Sequence, residues 1–241
     1  MFPVSQDVAL GANIDKELRS NAREYPVYAD ATVREYVQGV VNQLVSAPDI
    51  KYKSVFPYRV TIVDDPQTMN AFCTPGGFIY VYTGLLRALD NEASLAAVLG
   101  HEIAHAECRH GTERMTKSLG AQILLDMALG TDASQVTKTT ANLFTGLALL
   151  KNSRDNEEEA DAKSFVYLQH SPWYPGSIRY FFEKVNDRNR RGALERWTST
   201  HPLPQDRITA CEQRAAAAKL PPPTESQLRS APYKEMLQRI R

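Results

Sequence analysis

The sequence predicts an α+β fold, mostly α, in which a small antiparallel sheet packs on one apolar helix. Three observations predict it. Apolar residues recur at helical spacing through most of the chain; a period of two appears in only one stretch, Tyr58 to Tyr82; and the helix that follows this stretch is apolar except for the segment His101-Glu102-Ile103-Ala104-His105.

Ser5–Asn21 and Asp30–Ser46 read as helices. In the second, Val33, Tyr36, Val37, Val40, Val41 and Leu44 form one apolar stripe. These helices carry packing residues and no chemistry. From Tyr58 the period changes: Tyr58, Val60 and Ile62 alternate with Arg59, Thr61 and Val63, up to a turn at Asp64-Asp65-Pro66. Asn70–Thr74 is a short second strand, Pro75-Gly76-Gly77 turns the chain, and Phe78–Tyr82 is the third strand. A short strand bounded by proline and two glycines suits a sheet edge, and an extended peptide can add itself to such an edge. Asn70, Ala71 and Phe72 are the candidate contacts; a purely structural meander would read the same way.

Ala93–Gly111 is the helix on which the chemistry rests. Leu95, Val98, Leu99 and Ile103 make it mostly apolar, Asp90 or Asn91 can cap its start and Gly111 can end it. Residues four apart lie above one another on a helix, so His101 and His105 can share one metal ion. Glu102 falls at the edge of the same face, where a metal-bound water would sit. Zinc suits such a site, since it accepts imidazole nitrogen and has no geometric demand from its d electrons. Two core histidines on an ordinary helix would produce the same five residues, so the rest of the chain has to decide.

Thr112–Leu129 continues as helix, residues 130–135 (GTDASQ) form a loop, and Leu143–Leu150 opens a helical stretch that leads into 152–171. The acidic cluster there fits a solvated helix start. Glu157 and Asp161, however, are four apart on one face with the small Ala160 between them, which lets this helix approach another closely. The metzincin pattern would need a histidine six places after His105, but that position is Gly111; His110, one place earlier, points to a different face and is not counted as a ligand, which makes glutamate the better candidate. Trp173–Asn186 is an aromatic-rich helix. His201-Pro202 stands at a loop-to-helix junction, with Pro204 suited to a first helical turn and Arg207 beyond it. The tail runs through Ala215–Lys219 and Pro221–Pro223 to a short helix at Tyr233–Ile240.

The bulk properties narrow the function classes. Twenty-eight basic and 28 acidic side chains in 241 residues cancel, which removes the electrostatic case for nucleic acid or an anionic membrane as partner. No apolar run approaches the about 20 residues of a membrane span. No signal peptide is visible at Met1, so an exported protein would be represented here by its mature form. Cys73, Cys108 and Cys211 are an odd number without metal-site spacing, and they leave the compartment open.

HEIAHAECRHG at 101–111, SRDNEEEAD at 153–161 and HPLPQDR at 201–207 together resemble the gluzincin metallopeptidases of the CAAX prenyl endopeptidase and HtpX-like family, in its soluble bacterial, BepA-like envelope branch. The resemblance runs from about Val60 to Arg207 and includes NAFCTPGG at 70–77. It implies a zincin fold of the gluzincin type in a single domain over 1–241, with a core at 58–210, N-terminal helices at 5–46 and a tail at 220–241. It also implies one zinc ion on His101, His105 and Glu157, with Glu102 as the catalytic carboxylate. Glu157 is preferred to Glu158 and Glu159 because the family pattern places an aspartate four residues after the ligand. Asp161 would then hold the far nitrogen of a ligand histidine, His101. His201 and Arg207 match a further family motif, with His201 as candidate stabiliser of the oxyanion. The implied activity is zinc-dependent hydrolysis of unfolded or extended polypeptide, in protein quality control of a bacterial envelope or periplasm. The rival reading is a latent or chaperone-like peptide-binding protein whose zinc is plugged by His201.

Overall fold

The computed structural model describes residues 2–129, 152–185, 197, 201 and 206–240. Helix α1 (Val4–Ser20) and helix α2 (Ala31–Val45) come first. Asp30 starts α2 by accepting from the Thr32 and Val33 amides, which satisfies two of the donors that a helix start leaves open. Val33, Val37, Val40, Val41 and Leu44, the buried residues of α2, belong to the apolar stripe read from its spacing.

Strands β1 (Arg59–Val63), β2 (Ala71–Thr74) and β3 (Phe78–Tyr82) make one sheet in the order β1-β3-β2. Only the β2–β3 pair is antiparallel; β1 and β3 run parallel, so the sheet is mixed. The reason is the route of the chain. The segment after β1 reverses direction and sets β2 down one place away, and the turn at Pro75-Gly76-Gly77 reverses it again. β3 therefore enters the gap running the same way as β1. Gly76 and Gly77 take positive φ (74° and 81°), and a Cβ at Gly76 would lie 2.8 Å from the Asp7 carbonyl of α1. β2 is left as an edge, while the outer side of β1 carries an isolated bridge between Val63 and Val27.

The sheet has helices on both faces. Val60, Ile62, Ile79 and Val81 share a core with α2 and with the histidine-bearing helix, whereas Phe78, Tyr80 and Tyr82 pack with Leu10, Ile14 and Leu18 of α1. After β3 come α3 (Thr83–Ala88) and α4 (Glu92–Glu107). Every residue of α4 is buried, and Asn91, not Asp90, caps it by accepting from the Ser94 amide.

The expected stop of α4 at Gly111 is displaced. The helix ends at Glu107, the chain turns through Cys108 and Arg109, and Gly111 lies inside the next helix, α5 (His110–Leu119). Arg109 adopts φ 59°, a left-handed conformation usually left to glycine. Its side chain is held there by the buried Asp7 carboxylate (Nε–Oδ2 2.6 Å) and the Phe2 carbonyl (2.5 Å). The expected continuous helix 112–129 is likewise broken at Gly120 (φ 86°), beyond which α6 (Ala121–Leu129) begins.

Helix α7 (Arg154–Gln169), capped by Ser153, lies along α4. Small residues allow this: a Cβ on Gly100 would meet Ser164 Oγ at 2.7 Å, and that hydroxyl donates to the Ala97 carbonyl (2.8 Å). Helix α8 (Ile178–Val185) starts later than the expected Trp173, whose indole is instead tied to Glu92 Oε1 (2.8 Å). Helices α9 (Asp206–Ala217), α10 (Glu225–Leu228) and α11 (Ser230–Leu237) complete the chain. The loop at 130–135, the helical stretch at 143–150, the helix end at Asn186, and Pro202 and Pro204 lie outside the described residues. Among the described residues no helix is long and apolar enough to cross a membrane.

Candidate metal centre and active site

One turn of α4 separates His101 from His105, and their Nε2 atoms stand 2.9 Å apart. α7 brings Glu157 against both: Oε2 is 3.4 Å from His101 Nε2 and Oε1 is 3.3 Å from His105 Nε2. His201 closes the group, with Nδ1 at 3.0 and 3.2 Å from the two Glu157 oxygens. One ligand atom from each of these four buried residues lies within 4.8 Å of the others. Of the three consecutive glutamates, only Glu157 points inward; its side chain is 1% exposed, against 74% for Glu158 and 51% for Glu159.

This donor set fits zinc. An ion with tetrahedral bonds of about 2.0–2.1 Å spaces its ligand atoms about 3.3 Å apart, close to the separations here. Two imidazole nitrogens and a carboxylate aimed at one point match its borderline character. Glu102, next to His101 in the chain, is buried, and its Oε1 has no hydrogen-bond partner among the described residues. It lies 3.7 Å from His201 Nε2. Burial pushes the Glu102 carboxyl above its usual range against the pull of His201 and His101.

The candidate ligands are held from behind. His101 Nδ1 lies 2.8 Å from Asp161 Oδ1. Arg207 grips Asp161 with two bonds of 2.7 Å, donates to Glu157 Oε2 at 2.8 Å and stacks over the Phe182 ring at 4.4 Å. Burial raises the Asp161 carboxyl, but the Arg207 charge and the His101 hydrogen bond outweigh it and leave the group at about 2. Glu157 is likewise held well below the carboxylate range: burial is overcome by His201 and by hydrogen bonds from His101 and His105.

Three participants were not legible. His110, set aside on helical geometry, places Nδ1 2.8 Å from His105 Nδ1, because the left-handed turn at Arg109 folds it back over the helix end. Asn152 donates to Glu157 Oε1 (2.5 Å) and lies 3.3 Å from His201 Nδ1; nothing in its sequence context signals this. Trp197 stacks on His201 with ring centres 4.1 Å apart, and its position four residues earlier was the available signal.

Asn70 immediately precedes edge strand β2, which contains Ala71 and Phe72. The Asn70 carbonyl accepts from Tyr82, while its buried side-chain oxygen has no partner among the described residues. Phe72 stacks on Tyr80 of β3 (4.8 Å, 5°). Cys73 lies close enough to Glu102 that this carboxylate adds to burial in raising the thiol.

The chain is similar to known proteins. The chain is 28% identical over 237 residues to a beta-barrel assembly-enhancing protease of Yersinia pestis, covering 93% of this chain and 47% of that protein. It is 30% identical over 224 residues to the beta-barrel assembly-enhancing protease of Escherichia coli K12, covering 88% and 44%. The mitochondrial metalloendopeptidase OMA1 of Schizosaccharomyces pombe is 30% identical over 194 residues, 79% of this chain and 55% of that protein. The chain thus spans about half the length of these relatives. The model of peptidase family M48 matches residues 31–215, which hold both histidines, Glu102, Glu157, His201 and Arg207. By that match and the convergence of its metal-binding side chains, the chain belongs to peptidase family M48.

Proposed function

We propose that this chain is a zinc-dependent endopeptidase that cleaves unfolded or extended polypeptide, acting in quality control of a bacterial envelope or periplasm. The single observation behind it is the meeting of His101, His105 and Glu157 at one point beside the buried Glu102. Similarity to beta-barrel assembly-enhancing proteases supports the envelope setting. On this reading residues 1–241 form one metallopeptidase domain.

His101, His105 and Glu157 would hold the zinc, which when bound polarises the scissile carbonyl and acidifies a water. Glu102 would take a proton from the attacking water and return it to the departing amine, and its buried oxygen without a partner among the described residues is open to both tasks. Asp161, clamped by Arg207, keeps His101 in the tautomer that offers Nε2. Asn70, Ala71 and Phe72 align the substrate as an added strand on the edge of β2, which reads main chain more than side chain. His201 faces Glu102 and donates to the oxyanion.

One observation favours a second reading. His201 Nδ1 lies as close to Glu157 as the two α4 histidines do, so His201 can occupy the fourth position and render the enzyme latent. Cleavage of unfolded casein separates the readings. The purified chain is expected to cleave it, to lose the activity to a chelator and to regain it with zinc; no cleavage at any zinc level would contradict the proposal. His201→Ala lowers the rate if His201 stabilises the oxyanion and raises it if His201 is a plug.

A further inference from the structure

Cys108 and Arg109 form a tight turn that returns His110 to the back of His105, on the side away from Glu157. His105 Nδ1 and His110 Nδ1 are 2.8 Å apart, and His110 Nε2 lies 3.2 Å from Glu159 Oε2 on α7. His105 and His110 are buried; Glu159 is half exposed, beside a cavity of about 610 Å³ that Cys108 and Glu159 help to line. The left-handed Arg109 is pinned by Asp7, and Thr112 adds a hydrogen bond to the same carboxylate (3.0 Å).

Proton positions along this row follow from elementary chemistry. A neutral imidazole carries one N–H and one lone pair. If His105 gives the lone pair of Nε2 to zinc, its proton sits on Nδ1 and must be donated backwards. His110 Nδ1 is the acceptor within reach, so His110 keeps its own proton on Nε2, where the Glu159 carboxylate receives it. Each group then has one donor facing one acceptor. The other ligand histidine has a shorter version of this support, His101 Nδ1 on Asp161.

We propose that His110 and Glu159 are positioning residues for the zinc ligand His105: an imidazole and a carboxylate in series that fix its tautomer and ring orientation and strengthen it as a donor. Partners of this kind act through the ligand, and their loss typically weakens metal affinity about 10–100-fold. The inference rests on zinc being bound through His105 Nε2, the reading given above.

The same residues suggest a competing role. Cys108, His110 and Glu159 offer ligand atoms within 4.8 Å of one another and could hold an ion themselves. That ion would need the lone pair of His110 Nε2 and would move the His110 proton to Nδ1, directly against the proton of His105. The two roles exclude each other, so they can be told apart.

The test measures zinc affinity by competition with a chromophoric chelator, on the full chain, for wild type, His110→Phe, His110→Asn and Glu159→Ala. Phenylalanine keeps the ring volume without an acceptor; the asparagine oxygen replaces the Nδ1 acceptor. Expected are a loss of about 10–100-fold for His110→Phe, recovery of most of it in His110→Asn, and a smaller loss for Glu159→Ala. Long-range ¹H–¹⁵N spectra of the zinc-loaded wild type should show His110 protonated at Nε2. Equal affinities for wild type and His110→Phe, equal losses for the Phe and Asn variants, or a His110 proton on Nδ1 would each overturn the relay. A second equivalent of zinc bound by wild type but not by Cys108→Ser would do the same. A wild-type chain that binds no zinc would overturn the underlying zinc reading as well, whereas one zinc per chain with His110→Phe unaffected would overturn the relay alone.

Discussion

Glu102 and Glu157 are both buried carboxylates beside the same histidines, and their surroundings differ. Glu157 accepts from Asn152 and Arg207 and lies beside His201 Nδ1, which suits a permanently charged ligand. Glu102 keeps a buried oxygen with no partner among the described residues and holds its proton more readily, which suits a group that takes and returns one. Glu102→Gln is therefore expected to retain one zinc per chain and to lose about 10²–10⁴-fold in casein cleavage, the usual worth of a general acid–base group. Glu157→Ala is expected to lose the zinc itself, read as metal per chain; full zinc content there would move the ligand to a neighbouring glutamate. Helical spacing made the pair of histidines legible, since four residues bring side chains together on any helix. The contact of His110 was not legible, because the break that creates it depends on Asp7, about a hundred positions earlier in the chain.

At the scale of elements, the site depends on how closely α7 lies on α4. Gly100 and Ser164 set that distance: the Ser164 hydroxyl cannot rotate away from an added Cβ without giving up its bond to the Ala97 carbonyl. Gly100→Val is expected to destabilise the chain by about 1–3 kcal/mol, the range for overpacked interiors, and to weaken zinc binding as Glu157 is carried away from the histidines. Denaturant unfolding and metal content would show both; a chain that keeps wild-type stability and zinc would mean that α7 is not seated by this contact. The individual elements were legible where the pattern is local, as in the α2 stripe and the three strands. Parallel pairing of β1 with β3 was not, because strand period says which residues face the core but not which strand slips between two others. The end of α4 was missed for a related reason: Gly111 is a good helix stop, but a tethered arginine took the left-handed position two residues earlier.

Across the whole molecule, distant segments converge on one point. The sheet separates two cores, one shared by α2 and α4 and the other anchored by α1, so α1 lies behind the sheet and still reaches the turn after α4 through Asp7 and Arg109. The N-terminal helix fixes the turn that places His110. On the other side, Arg207 of α9 ties Asp161 and Glu157 of α7 to the histidines of α4. Motif order along the chain made this convergence readable in outline, while the supporting contacts of Asn152 and Trp197 needed coordinates. These segments are expected to close around one zinc ion. Anomalous diffraction at the zinc edge from crystals of the metal-loaded chain would locate that ion. One peak is expected at about 2.0–2.2 Å from His101 Nε2, His105 Nε2 and a Glu157 oxygen; a peak only among Cys108, His110 and Glu159, or none at all, would rule out this zinc site.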